Sequence, residues 1–248
     1  MTHRAGHAAA VVALLGFLAS FSSGGTASKT TSTTTSSSPA GDATTTTAAS
    51  TTTTTTTVTL PTAAELQAAL LSQSDLGAPY SAQQSSGASE SGSSDQSASG
   101  CPGLSRELNS GSSSQTGLVS DAADFTAGQT GPFVIEQLLT GPPAQFASDY
   151  NQSVSDLKSC RNLTLTSGGT KLDFTLTPIN FVSGATAARM DATYEGVQVN
   201  GYIAVQRVGS AGLVFLFFQI GSGSSQEAYT IYTQALKKAQ SHLGQPTT

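Results

Sequence analysis

The chain has 248 residues, a formal net charge of −5, and only 10% charged residues. An acidic chain with no basic stripe excludes nucleic acid as an expected partner. Three histidines and two widely separated cysteines, with no CxxC spacing, argue against a metal centre and against redox chemistry.

Residues 1–21 read as a secretory leader, with Arg4 as its positive start and Ala8 to Leu18 as its apolar run. That run is shorter than the roughly 20 residues that span a bilayer. An uncleaved anchor and a buried helix are the competing readings. The stretch "LASFSSGG" at 18–25 places Phe21 where a bacterial lipoprotein would carry its acylated cysteine. A phenyl ring cannot take a thioether-linked lipid, so the expectation is an exported chain without a lipid anchor, extracellular or associated with the cell envelope. Such a chain is either released, for example by cutting after Gly25-Thr26-Ala27, or derived from an anchored relative that lost its thiol.

Residues 22–59 are a Ser/Thr/Ala tract almost without large apolar side chains. Too little surface can be buried there to offset the entropy of ordering, which predicts a disordered stalk. It is either O-glycosylated or a bare spacer. A folded domain is expected over 60–245.

That domain opens with "PTAAELQAALLSQSDLG", read as one helix from Pro61 and Thr62 to the Asp75–Gly77 stop. Residues 81–100 are Ser/Gly-rich and read as a mobile loop leading to Cys101. Leu118 to Phe125 and Phe133 to Leu139 read as strands. Pro142 and Pro143 then open a helix with Phe146, Tyr150, Val154 and Leu157 on one face and Cys160 at its end. Cys101 and Cys160 allow a single intramolecular pairing, and export exposes them to an oxidising compartment, so a structural disulfide is expected.

"NLTLT" and "KLDFTLT" flank Ser167-Gly168-Gly169 as a hairpin. Ala188, Met190, Ala192 and Tyr194 alternate, as do Val197, Val199, Ile203 and Val205, with Glu195-Gly196 as the turn between them. "LVFLFFQI" is apolar on both faces and reads as a central strand. The last helix, near Ser225 to Leu243, gathers Ala228, Ile231, Tyr232, Ala235, Leu236 and Ala239 on one face. The fold class is therefore α+β: a mostly antiparallel sheet with two or three helices packed against it.

The Ser/Thr stalk, "LLSQSDLG", the cysteine of "CPGL", the helix end "DLKSC", the strand meander and the final amphipathic helix together resemble the PknH-like extracellular sensor domain family. That actinobacterial family occurs on mycobacterial receptor Ser/Thr kinases and on free-standing lipoproteins, and the resemblance covers about residues 60 to 245. It implies an antiparallel sheet with packed helices and a cleft for an unknown ligand. Leu157 stands where members often carry Trp. The chain has no kinase motif, so a signalling role would need a protein partner.

No GxSxG, HExxH or P-loop occurs, and His242 near the end of a helix is accounted for by a favourable charge interaction there. No catalytic residue, metal ligand or cofactor is expected. If the valines of the 197–205 strand face one helix, the opposite face carries Gln198, Asn200, Tyr202 and Gln206. Arg189, Asp191 and Thr193 join from one neighbouring strand, and Leu213, Phe215 and Phe217 from the other. Polar groups beside an apolar wall are the material of ligand sites. Arg189, Tyr202, Asn200, Phe215 and Phe217 are the candidate binding residues; the competing reading has the second helix covering the phenylalanines and the polar groups meeting water. The function expected is a non-enzymatic, sensor-like domain that binds a small molecule, a lipid, a cell-envelope component or a protein partner. The alternative is a lipid-carrying protein of half-barrel type, with a large apolar cavity between sheet and helices.

Overall fold

The computed structural model describes residues 59–83, 97–102, 104–105, 117–167, 170–221 and 223–244. The leader with Phe21, the stalk up to residue 58 and positions 84–96 of the expected loop lie outside the described residues.

At Thr62 the hydroxyl accepts the Glu65 N–H at 3.3 Å, while Glu65 Oε2 accepts the Thr62 N–H at 2.7 Å. This reciprocal cap starts α1 (Ala63–Ala69). The single helix expected here is broken. Leu70 turns extended, and Ser72 starts a one-turn helix, α2 (Gln73–Leu76). The cause is local: the Ser72 N–H donates to Asp75 Oδ2 at 2.7 Å, and a side chain that satisfies the backbone this way competes with helix continuation. The break lets Leu70 and Leu71 both enter the core.

Nine antiparallel strands are described, in the order β1-β3-β4-β9-β8-β7-β6-β5-β2. They are β1 (Ser81–Gln83), β2 (Ser97–Ser99), β3 (Val119–Thr126), β4 (Phe133–Thr140), β5 (Asn162–Ser167), β6 (Thr170–Ile179), β7 (Thr186–Tyr194), β8 (Val197–Val208) and β9 (Ala211–Ile220). The expected loop over 81–100 is therefore corrected at both ends. Its first residues form the edge strand beside β3, and its last form the opposite edge beside β5. β5 to β9 run as consecutive hairpins. At one of these turns Glu195 and Gly196 both take positive φ, 49° and 80°, as a two-residue hairpin turn demands.

α3 (Pro143–Ser159) connects β4 to β5 across one sheet face, burying Phe146 and Leu157. α4 (Ser225–Leu243) lies on the other face, and its buried residues are the six that the helical period singles out. Helices of seven residues or more thus number three among the described residues, joined by the single turn of α2. α1 packs against α4 and β3 on the same side. The core accordingly has two halves. Leu157, Leu163, Phe174, Met190, Ile203, Leu216 and Phe218 belong to the α3 side. Leu66, Val134, Leu138, Phe215, Phe217 and Tyr232 belong to the α4 side. β9 feeds both, as a central strand with two covered faces must. Val197, expected to point inward with Val199, is instead exposed because it adjoins the tight turn that closes the hairpin, at the tip of the strands.

The Cys101–Cys160 disulfide is present, joining positions separated by 59 in sequence. It ties the segment after β2 to the end of α3. Among the described residues no helix is long and apolar enough to cross a membrane.

Candidate ligand-binding face

α4 and α1 cover only part of their sheet face. Beyond β8, the strands β7 and β6 present Thr193, Arg189, Thr177, Thr175, Asp173 and Lys171 to solvent, while the alternate positions Ala188, Met190, Leu172, Phe174 and Leu176 are buried beneath α3. Hydrophobic-in, polar-out alternation of this kind leaves one half of the face open.

Strand register lines up two rows across this face. One runs Thr177, Arg189, Tyr202, Phe217, Val134, from open polar surface into closed apolar core. The next runs Asn162, Thr175, Asp191, Asn200, Gln219, and is polar throughout. The five candidate residues therefore share one face, but in different environments. Phe215 and Phe217 are both 0% exposed beneath α4, and the Phe215 ring meets Tyr232 edge-on with centroids 5.3 Å apart. Tyr202 is buried at the boundary, its ring stacked on Phe181 at 5.7 Å and 8°. Arg189 lies in the open, with Nη2 2.8 Å and Nε 2.9 Å from Asp191 Oδ1.

Asn200 donates from Nδ2 to the Gly221 carbonyl and so anchors the loop that leads into α4. Gln219 beside it has a buried Oε1 without a hydrogen-bond partner. Gly223 passes over both: a Cβ there would sit 3.5 Å from Gln219 Oε1 and 3.6 Å from Asn200 Cβ. The rim is aromatic. Phe181, from the loop between β6 and β7, meets Tyr229 edge-on at 6.0 Å and Tyr232 at 5.3 Å, and Tyr229 is 42% exposed. Hydrogen-bonding groups beside ring faces can recognise a polar ligand.

Gln219 and Phe181 were not among the sequence candidates. Gln219 is the polar residue closing an otherwise apolar strand, which is a usable signal. Phe181 sits in a loop, where no periodicity assigns it a face. The two aspartates that share this face each have a basic partner, Lys171 for Asp173 at 3.0 Å and Arg189 for Asp191. His242 lies in the last turn of α4. Among the described residues no group of three His, Cys, Asp or Glu side chains is placed to hold a metal ion.

A solved structure similar to this one is the extracellular domain of PknH from Mycobacterium tuberculosis. It matches with a TM-score of 0.54 and 12% sequence identity, over 74% of this chain and 98% of that one. At that identity the likeness is one of fold. No protein-family model matches the sequence, and no curated protein matches it significantly.

Proposed function

We propose that the chain is an exported, sensor-like domain of the cell envelope that binds a ligand or partner and does not transform it. The observation that carries this reading is the half-open sheet face, with Arg189, Asp191, Asn200 and Gln219 gathered beside the Tyr202–Phe181–Tyr229 rim. The fold shared with the extracellular domain of PknH supports the sensor-like role. Phe215, Phe217 and Tyr232 fill the layer between α4 and the sheet with their own rings, which favours a ligand on the open polar half over a lipid held beneath α4. The leader-like segment supports export, and Phe21 offers no thiol for acylation at that position.

The test is an NMR titration with soluble oligosaccharides and short peptides of the cell wall. Binding should shift amides of Arg189, Asn200 and Gln219 first, and Arg189→Ala should weaken it about tenfold by removing a charge-assisted hydrogen bond. Shifts confined to other surfaces would move the site elsewhere. Native mass spectrometry showing lipid retained by the purified protein would favour the lipid-carrying alternative.

A further inference from the structure

The α4-facing positions of β4 are Val134, Glu136, Leu138 and Thr140, so Glu136 enters a layer of hydrocarbon. Its strand neighbours are Ala123 on β3 and Phe215 on β9. The residue is 0% exposed. Oε2 accepts the Leu71 backbone N–H at 2.7 Å, and Oε1 is buried without a hydrogen-bond partner.

Charged groups reach this space from the packed elements as follows. α2 supplies Asp75 and α4 supplies Lys238, and the two are joined to each other at 2.7 Å. β3 supplies the half-buried Asp121 on the same face, whose Oδ1 accepts the Ala122 N–H. α1 supplies none: its Glu65 is exposed and bonded to Thr62.

We propose that Glu136 is a proton-binding site that couples the pH of the surrounding medium to the seating of the arm 60–80 on the sheet. The arm is held by Leu66, Ala69, Leu70 and Leu71 in the core, by the Leu71 N–H on Glu136, and by Tyr80 Oη donating to Glu227 at 2.8 Å. With Glu136 protonated, a neutral acid lies under the arm and still accepts from Leu71. With Glu136 ionised, a buried anion has one N–H for company and gains by meeting water, which requires the turn at Leu70–Ser72 to lift.

Burial pushes the Glu136 carboxyl up to about 7. The Leu71 N–H and Lys238 pull it down, and Asp75 adds to the rise. A raised folded value means that the seated arm binds the proton more tightly than the lifted one. Its stabilisation is complete below about 4.5 and is lost as pH rises through about 7. Asp75 acts in the opposite direction: held down to about 2, mainly by Lys238 and Ser72, it stabilises the arm above 3.8 and fails as pH falls through about 2. The arm is therefore seated most firmly in the mildly acidic range between these limits.

Amide hydrogen exchange on the full-length chain, corrected for intrinsic rates, tests this independently of any ligand. Between about pH 5 and about pH 8, protection of Leu66 to Leu71 should fall tenfold to a hundredfold relative to β8 and β9. Glu136→Gln, which keeps an acceptor for Leu71 but cannot ionise, should make arm protection independent of pH. Equal protection at both pH values in the unsubstituted protein, or the same fall in Glu136→Gln, overturns the proposal. A carboxyl NMR titration of the unsubstituted protein decides the matter if that variant does not fold. A Glu136 midpoint above about 6 supports the proposal and an ordinary one near 4.3 overturns it.

Discussion

Asp75 Oδ2 accepts from the Ser72 N–H at 2.7 Å, from Ser72 Oγ at 2.6 Å and from Lys238 Nζ at 2.7 Å. One oxygen thus starts α2, stops α1 from continuing and ties both to α4. The ion pair is partly screened, its side chains being 24% and 35% exposed, so most of the effect of Asp75→Ala should come from the lost local cap. The expected loss is about 1 kcal/mol, read from urea midpoints near pH 6. The sign of its pH dependence follows from the depressed carboxyl: the gap between the native protein and the variant should close as pH falls through about 2. A gap unchanged in acid would mean that the carboxylate charge contributes nothing.

At the scale of elements, periodicity carries most of the fold. The six apolar positions of α4 are buried as a set because a 19-residue helix on a sheet can hide only one stripe. Likewise, period-two alternation places Arg189, Asp191, Asn200 and Tyr202 on one face, so half of the candidate site is legible in the residue pattern itself. What alternation cannot tell is how far a helix reaches across that face. Phe215 and Phe217 fall under α4 while Arg189 does not, and that is settled by packing between distant segments. β1 and β2 were illegible for a different reason: three residues of Ser, Ala and Gln have no pattern to read. Glu136 in "FVIEQLL" was visible as a lone charge, but its burial depends on the turn at Leu70–Ser72, whose Leu71 arrives from 65 residues away. Within β8, Gly201 is a positional requirement. A Cβ there would meet the Phe218 ring and come within 2.7 Å of the Phe217 carbonyl oxygen on β9. Gly201→Ala should therefore cost about 1–3 kcal/mol by overpacking the β8–β9 ladder, measured as a lowered urea midpoint. A neutral result would mean that the two strands can separate without loss.

For the whole molecule, the disulfide joins places that the sheet also joins. Cys101 follows β2, Cys160 precedes β5, and these two strands are paired at the sheet edge. Reduction should lower stability by about 4 kcal/mol in the chain-entropy view, seen in denaturant with and without reductant. An unchanged midpoint would place the stabilisation in the β2–β5 ladder and its core. The closed ring contains β3, β4 and α3, whereas β9, to which β4 is paired, lies outside it. A molecule pulled from its two ends would therefore surrender β9 from β4 yet never release the chain between the cysteines. About 200 Å of contour length stays locked inside the ring until the sulfur–sulfur bond is cut.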